Sequence, residues 1–208
     1  MKYLELRNQL ADFTIFSLTD IRKLEPTFNY RRLYEWKDKG YIDMVRRGYY
    51  VFSDTPLTEN SLFLIANHLY TPSYVSLETA LNYYNLIPEG VYSTTSVTTN
   101  KTQTFNHLVS FSYQHIKASI FFGYRLDRTA GQNYKIAEPE KAVLDYLYLH
   151  PTMSDQASLA EWRFNTDEFR AIANTNKFYG YLKLFDSKSL DSRVKKFVKH
   201  IGGLNVKS

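Results

Sequence analysis

Two adjacent arginines, Arg46 and Arg47, occupy the tip of a predicted β-hairpin in the stretch DMVRRGYYVF. Side by side, the two positive charges repel each other, and the geometry of a tight turn does not require them. DNA phosphates would neutralise both charges and release counterions, which is how basic side chains contribute to DNA affinity. The pair therefore predicts a phosphate contact, with a merely soluble turn as the simpler alternative.

A predicted helix, NYRRLYEWKDK, precedes this hairpin and carries further groups that could contact DNA. Thr27 or Asn29 can cap it, and Gly40 suits the position after its last turn. Leu33 and Trp36 lie three residues apart and can face a core together, which leaves the other side chains on other faces. The residues predicted to contact DNA are Thr27, Asn29, Tyr30, Arg31, Tyr34, Lys37, Arg46 and Arg47.

Positive charge is concentrated in two parts of the chain. Residues 22–50 contain eight basic and four acidic side chains, a local net charge of +4. Residues 181–208 contain seven basic and two acidic side chains, a net charge of +5. This tail could be a solvated face, a second nucleic-acid surface or a contact for an acidic protein. The candidate second basic surface consists of Arg193, Lys195, Lys196 and Lys199.

The residues that could support catalysis do not form a recognisable set. The five histidines lack the three- or four-residue spacing of a helical zinc site, and the chain has no cysteine. Glu138, Glu140, Lys141 and Asp145 form a cluster that could belong to a metal-dependent nuclease. However, Glu138 and Glu140 suit the first turn of a helix, where the helix dipole favours carboxylates. We therefore predict no catalytic residue, no metal site and no cofactor.

The DNA-contacting residues require particular elements in residues 1–55. The sequence predicts helices over 2–13, 17–24 and 29–39, a short strand over 14–16, and a hairpin over 41–52. Leu4, Leu6 and Leu10 are the expected core residues of the first helix, and Gly48 is expected in the left-handed position of a three-residue loop. In DNA-binding proteins with this order of elements, the third helix enters the major groove of DNA, and the hairpin, or wing, lies over the DNA phosphate backbone. Residues 1–55 are thus predicted to form a winged helix-turn-helix DNA-binding domain.

Residues 58–208 are predicted to form a larger mixed α/β domain with a helical C-terminus, which makes the fold class α+β. A short polar stretch over 53–58 is the expected linker, so the two parts should touch. Helices are predicted over 59–69, 77–86, 138–150 and 189–202, and strands within 91–100, 104–116, 120–126 and 133–137. Ser76 should cap the second of these helices, Pro139 suits the first turn of the third, and Gly131 marks a turn between strands.

The composition is that of an ordinary globular protein, with 44% hydrophobic and 23% charged residues. No apolar run is long enough to span a bilayer, and MKYLELRNQLADF has no signal-peptide core. The absence of cysteine excludes disulfides. We therefore predict a cytoplasmic protein with no membrane partner.

Three stretches resemble one known family in the same order along the chain: GYIDMVRRGYYVF, YVSLETALNYYNLIPEGVYSTTSVTTNKTQTF, and FGYRL with IAEPEKAVLDYLYL. They are similar to the AbiEi-type antitoxins of type IV, or abortive-infection, toxin–antitoxin systems, over most of residues 1–150. The resemblance implies that the winged helix represses its own operon by binding the promoter duplex. It also implies that the larger domain counteracts a nucleotidyltransferase-like toxin, and it leaves open whether the two proteins touch. It supplies no catalytic motif.

The sequence leaves one alternative function open. A winged-helix transcription factor could carry a larger domain that binds a small effector, and the 18 tyrosines could line its pocket. Tyrosines serve more often as amphipathic core and interface residues. A metabolite that shifts both melting temperature and operator affinity would favour this alternative, whereas rescue from a co-encoded toxin would favour the antitoxin.

Overall fold

The computed structural model describes residues 1–88, 90 and 93–204, which form a mixed α+β structure, as the sequence predicts. The strands belong to a small antiparallel sheet near the N-terminus and to a larger mixed sheet. Val91 and Tyr92, at the start of a predicted strand, and Lys207 of the basic tail lie outside the described residues.

The first 52 residues contain three helices and three strands. In chain order they are α1 (Tyr3–Gln9), β1 (Phe16–Ser17), α2 (Leu18–Leu24), α3 (Arg31–Asp38), β2 (Ile42–Arg46) and β3 (Tyr49–Phe52). Strand β3 is central and pairs antiparallel with both β1 and β2. The order of elements is the predicted one, although α1 ends before Phe13 and α3 begins at Arg31 rather than Asn29.

Local signals account for the first two helices. Ser17 Oγ accepts a hydrogen bond from the Asp20 amide at 3.3 Å, while the Asp20 carboxylate accepts from the Ser17 amide at 3.0 Å. This reciprocal capping box fixes the start of α2. In α1, Leu6 and Leu10 lie four residues apart and are buried together. The expectation that Leu4 is also a core residue is wrong, because two residues along a helix turn its side chain toward solvent, where it is 70% exposed.

The larger part of the chain contains seven helices and six strands within the described residues. They are α4 (Glu59–Leu69), β4 (Ser73–Val75), α5 (Leu77–Tyr83), β5 (Ser93–Thr98), β6 (Gln103–Asn106), β7 (Ser110–His115), β8 (Tyr124–Thr129), β9 (Gln132–Ala137), α6 (Pro139–Leu149), α7 (Gln156–Glu161), α8 (Thr166–Ile172), α9 (Thr175–Phe185) and α10 (Lys188–His200). Pro139 opens α6 at its first turn, and Gly131, with φ +74°, forms the turn between β8 and β9, as predicted.

Three details of this part differ from the sequence-based expectations. The sequence does not predict strand β4, because three residues are too few to show an alternating pattern. The strand expected over 120–126 begins only at Tyr124, after a 3₁₀ turn over Ala118–Ile120. Ser76 precedes α5 but its hydroxyl does not cap that helix, because it donates instead to the carboxylate of Asp145.

The larger sheet has the strand order β6-β7-β5-β4-β9-β8 and is covered by helices on both faces. Tyr74 and Val75 are consecutive in β4 and so point to opposite faces. The Tyr74 hydroxyl donates to Asp145 of α6. Val75 is paired with Ile136 of β9, and the Tyr134 hydroxyl on that same face donates to Asn60 of α4. Helices α4 and α6 therefore lie on opposite sides of the sheet.

Two hydrophobic clusters form, and the first sheet contributes to both. One face of this sheet packs against α1, α2 and α3 through residues such as Phe16 and Phe52. Ile15, Val45 and Val51 instead join the cluster that contains the larger sheet. The hairpin is therefore fixed against the rest of the protein, and the expectation that the two parts touch is confirmed.

Candidate nucleic-acid interface

Helix α3 presents one buried and one exposed face. Leu33 and Trp36 are 2% and 4% exposed and belong to the N-terminal cluster. Tyr34 is 57% exposed, and Arg31 and Lys37 are also exposed. The three-residue spacing of the exposed side chains puts them on adjoining turns of the helix. The structure thus brings together, on one accessible side, the α3 residues that the sequence predicts to contact DNA.

The start of α3 is fixed by a side chain from the preceding loop. The Asn29 Oδ1 atom accepts a hydrogen bond from the Arg31 amide at 3.0 Å. Thr27 is exposed and makes no hydrogen bond of this kind in the part of the chain that the structure describes. The N-cap position itself is occupied by Tyr30, which has no side-chain cap hydrogen bond, so Asn29 supports the start of α3 from the preceding position. Tyr30 is 49% exposed, and its ring meets that of Tyr34 edge to face with centroids 6.2 Å apart.

The charge on this face is not uniformly positive. Glu35 and Asp38 are exposed beside Lys37 in the second half of α3. Uncompensated positive charge is therefore concentrated at the start of the helix, around Arg31. Arg32 lies on the other side, where its guanidinium donates to the Met1 carbonyl at 2.6 Å and sits 5.7 Å from the Trp36 ring.

The two hairpin arginines have different environments. The sequence placed both in a three-residue loop, but Arg46 belongs to β2, and only Arg47 and Gly48 form the turn. The pairing of β2 with β3 shifts register after Met44, so β2 contains one residue more than the facing part of β3. Gly48 adopts the left-handed backbone conformation, with φ +89°. The turn therefore presents Arg47 to solvent, where it makes no ion pair or hydrogen bond among the described residues.

Arg46 points back onto the larger part of the protein. Its guanidinium donates to the Leu69 carbonyl at the end of α4 and lies 4.6 Å from the ring centroid of Phe105 in β6. The side chain is half-buried by these contacts. The expectation that both arginines face phosphates is thus not matched by this geometry: one is exposed and the other joins the hairpin to α4 and β6.

The candidate second basic surface on α10 contains three exposed lysines, Lys195, Lys196 and Lys199. Arg193 does not belong to this surface. It lies on the same helical face as Val194 and Phe197, and its Nε atom donates to the Leu147 carbonyl at 2.8 Å. Burial lowers the pKa of its guanidinium. Its spacing of four residues from Phe197 is the sequence signal that indicates this inward position.

The acidic cluster near α6 is occupied by internal contacts. Lys141 and Asp145 are both fully buried and form an ion pair, and the same carboxylate accepts hydrogen bonds from Tyr74 and Ser76 at 2.9 Å each. Burial raises the pKa of Asp145 and lowers that of Lys141, while the attraction within the pair opposes both shifts. Glu138 accepts hydrogen bonds from Lys177 and Tyr181. These contacts give Glu138, Lys141 and Asp145 a structural role.

Within residues 1–88, 90 and 93–204, no group of three or more histidine, aspartate or glutamate side chains is arranged to hold a metal ion. None of the described helices is both long and apolar enough to cross a membrane. Neither a protein-family model nor a curated protein matches the sequence of this chain.

Proposed function

We propose that residues 1–55 form a winged helix-turn-helix that binds DNA upstream of the protein's own gene. The observation that carries this proposal is the exposed start of α3, with Arg31 and the neighbouring Tyr30 and Tyr34, next to a hairpin whose turn exposes Arg47. In a winged helix the start of the third helix reaches base edges, and the wing contacts the backbone. We therefore assign base recognition to α3 and a phosphate contact to Arg47.

The division of labour between the hairpin arginines follows from their contacts. A side chain bound to Leu69 and Phe105 holds the hairpin in place, whereas a free guanidinium at its turn can reach a phosphate. Arg46 thus acts on DNA indirectly, by positioning the turn. About five phosphate contacts are available from the exposed basic side chains of the wing turn (Arg47), of α3 (Arg31 and Lys37) and of α2 (Arg22 and Lys23). Five contacts give a slope of log affinity against log salt near −4 to −5.

We further propose that the protein is the antitoxin of a type IV toxin–antitoxin pair and represses the operon that encodes both. This part rests on the resemblance of residues 1–150 to AbiEi-type antitoxins, with residues 58–208 counteracting a nucleotidyltransferase-like toxin. A winged-helix regulator with an effector-binding domain would use the same DNA surface, so DNA binding does not separate the two functions, whereas rescue from the toxin does.

The experiment uses the full chain, because Ile15, Val45 and Val51 pack into the larger core and a cut at residue 58 would expose it. Cells carry the neighbouring gene under an inducible promoter and a reporter behind the chain's own promoter. Wild-type protein should restore growth and repress the reporter. The variant Arg31→Ala should lose repression and keep rescue. Continued growth arrest with soluble, folded wild-type protein would contradict the antitoxin assignment.

A further inference from the structure

A cleft of about 510 Å³ lies between the end of α5, strand β8, helix α8 and the starts of α6 and α9. This volume is within the range of small-ligand sites. Five of its lining residues are charged: Arg125, Glu138, Glu140, Glu168 and Lys177. The charges come from four different elements, so the fold, and not one helix, brings them together.

Both cations of the cleft already have partners. Arg125 pairs with Asp127 at 3.1 Å, and Lys177 pairs with Glu138 at 3.0 Å. The other oxygen of Glu138 accepts the Tyr181 hydroxyl. These pairs leave little free positive charge, so the cleft is poorly suited to an anion.

Two carboxylates of the cleft are not neutralised. Glu140 is 3% exposed, and only its Oε1 atom has a partner, the Asn174 amide at 2.6 Å. Its Oε2 atom accepts no hydrogen bond from any residue that the structure describes. Glu168 is half-buried, and its carboxylate likewise makes no ion pair or hydrogen bond there. Hydrogen bonds between a carboxylate and a cationic donor are stronger than those between neutral groups, so the two side chains are suitable partners for a cation in the cleft.

Two aromatic rings also line the same cleft. Tyr83 and Tyr84 meet edge to face, with centroids 5.1 Å apart. The Arg125 guanidinium lies 5.9 Å and 5.6 Å from the two ring centroids, so these rings already attract one planar cation. Carboxylates and tyrosine rings that line the same cleft are a suitable environment for a second cation with an aliphatic stem.

We propose that this cleft binds a guanidinium or primary ammonium group on a short aliphatic chain, with Glu140 and Glu168 as its charge partners. The group can come from a free amine or from an arginine or lysine side chain of a partner protein. The proposal does not depend on DNA binding or on antitoxin activity.

The test is calorimetric titration of the full chain with agmatine and with the peptide acetyl-Gly-Arg-Gly-amide. The same peptide with citrulline in place of arginine serves as the neutral control. At least one cationic probe should bind with a Kd below about 1 mM, and the citrulline peptide should not. Tighter binding of agmatine would identify a free amine as the source, and tighter binding of the arginine peptide would identify a protein side chain. No binding of either cationic probe would overturn the proposal.

A matched pair of variants locates the site. Glu168→Gln should weaken binding at least threefold. Its neighbour Asp167→Asn should leave binding unchanged, because Asp167 carries the same charge but lies outside the cleft with a 96% exposed side chain. Glu140→Gln keeps an oxygen for the Asn174 amide and should also weaken binding. Thermal melts check that each variant is folded. Equal affinities for wild type and Glu168→Gln, or equal losses in the two neighbouring variants, would contradict the assignment.

Discussion

At the scale of single residues, arginines of the same chain have different structural roles, because the groups that surround each guanidinium differ. Arg46 and Arg47 are neighbours in sequence, yet one contacts Phe105, which lies 59 positions further along the chain, and the other is exposed. No local pattern distinguishes them, because the distinction arises from a contact between distant parts of the chain. Arg193 is different, since its helical spacing from Val194 and Phe197 already indicates the buried side of α10.

The buried pair in α6 gives a prediction at this scale. Asp145→Asn removes the charge opposite Lys141 and leaves an uncompensated ammonium group in the core, so the free energy of unfolding should fall by about 3–5 kcal/mol. Adding Lys141→Met removes the stranded charge and should restore part of the lost stability. Denaturant unfolding of both variants and of Lys141→Met alone measures the coupling. Simple additivity of the two single losses would show that the charges do not interact.

At the scale of elements, short-range signals predicted more than long-range ones. The capping box at Ser17, the proline at the start of α6 and the glycine turn between β8 and β9 all occur where the sequence indicates them. Each depends on residues a few positions apart. The strand order β6-β7-β5-β4-β9-β8 could not be predicted, because it depends on pairing between distant segments and includes a three-residue strand without a pattern of its own. The α3 face was predicted from the spacing of Leu33 and Trp36.

The docking of the hairpin predicts different outcomes for its two arginines. Arg46→Ala removes the contacts to Leu69 and Phe105, so stability should fall by about 1–2 kcal/mol while the salt slope of DNA binding is unchanged. Arg47→Ala should change stability by less than about 0.5 kcal/mol and reduce the magnitude of the slope by about one. Thermal melts and salt titrations of both variants test this. The opposite assignment of the two effects would mean that Arg46 is the phosphate contact.

At the scale of the whole molecule, buried tyrosine hydroxyls join the larger sheet to the helices on its two faces. Tyr113 of β7 donates to the Ala66 carbonyl of α4 at 2.7 Å, and Tyr74 of β4 donates to α6. Burial raises the pKa of both phenols above the usual value of 10.0. Tyr113 and Tyr74 therefore serve packing and hydrogen bonding, which is the commoner role of tyrosine expected from the sequence.

This burial predicts a loss of stability at alkaline pH. The pKa of Tyr113 is higher in the folded than in the unfolded chain, so its contribution is complete below pH 10 and is lost as pH rises toward the folded value. At pH 11, one unit above the unfolded pKa, the loss should be about 1.4 kcal/mol. Tyr113→Phe lacks this ionisation. The difference in the free energy of unfolding between wild type and this less stable variant should therefore shrink by that amount between pH 9 and 11. Parallel stability curves for the two proteins would show that Tyr113 ionises equally in both states.

The central claim is that the exposed start of α3 reads the promoter of the protein's own gene. Its most direct test is fluorescence anisotropy of the full chain with that promoter duplex and with a scrambled duplex of equal length and composition, over a series of salt concentrations. We predict a clear preference for the promoter, a salt slope near −4 to −5, and loss of the preference in folded Arg31→Ala. Equal affinity of the wild-type protein for the two duplexes would contradict the claim.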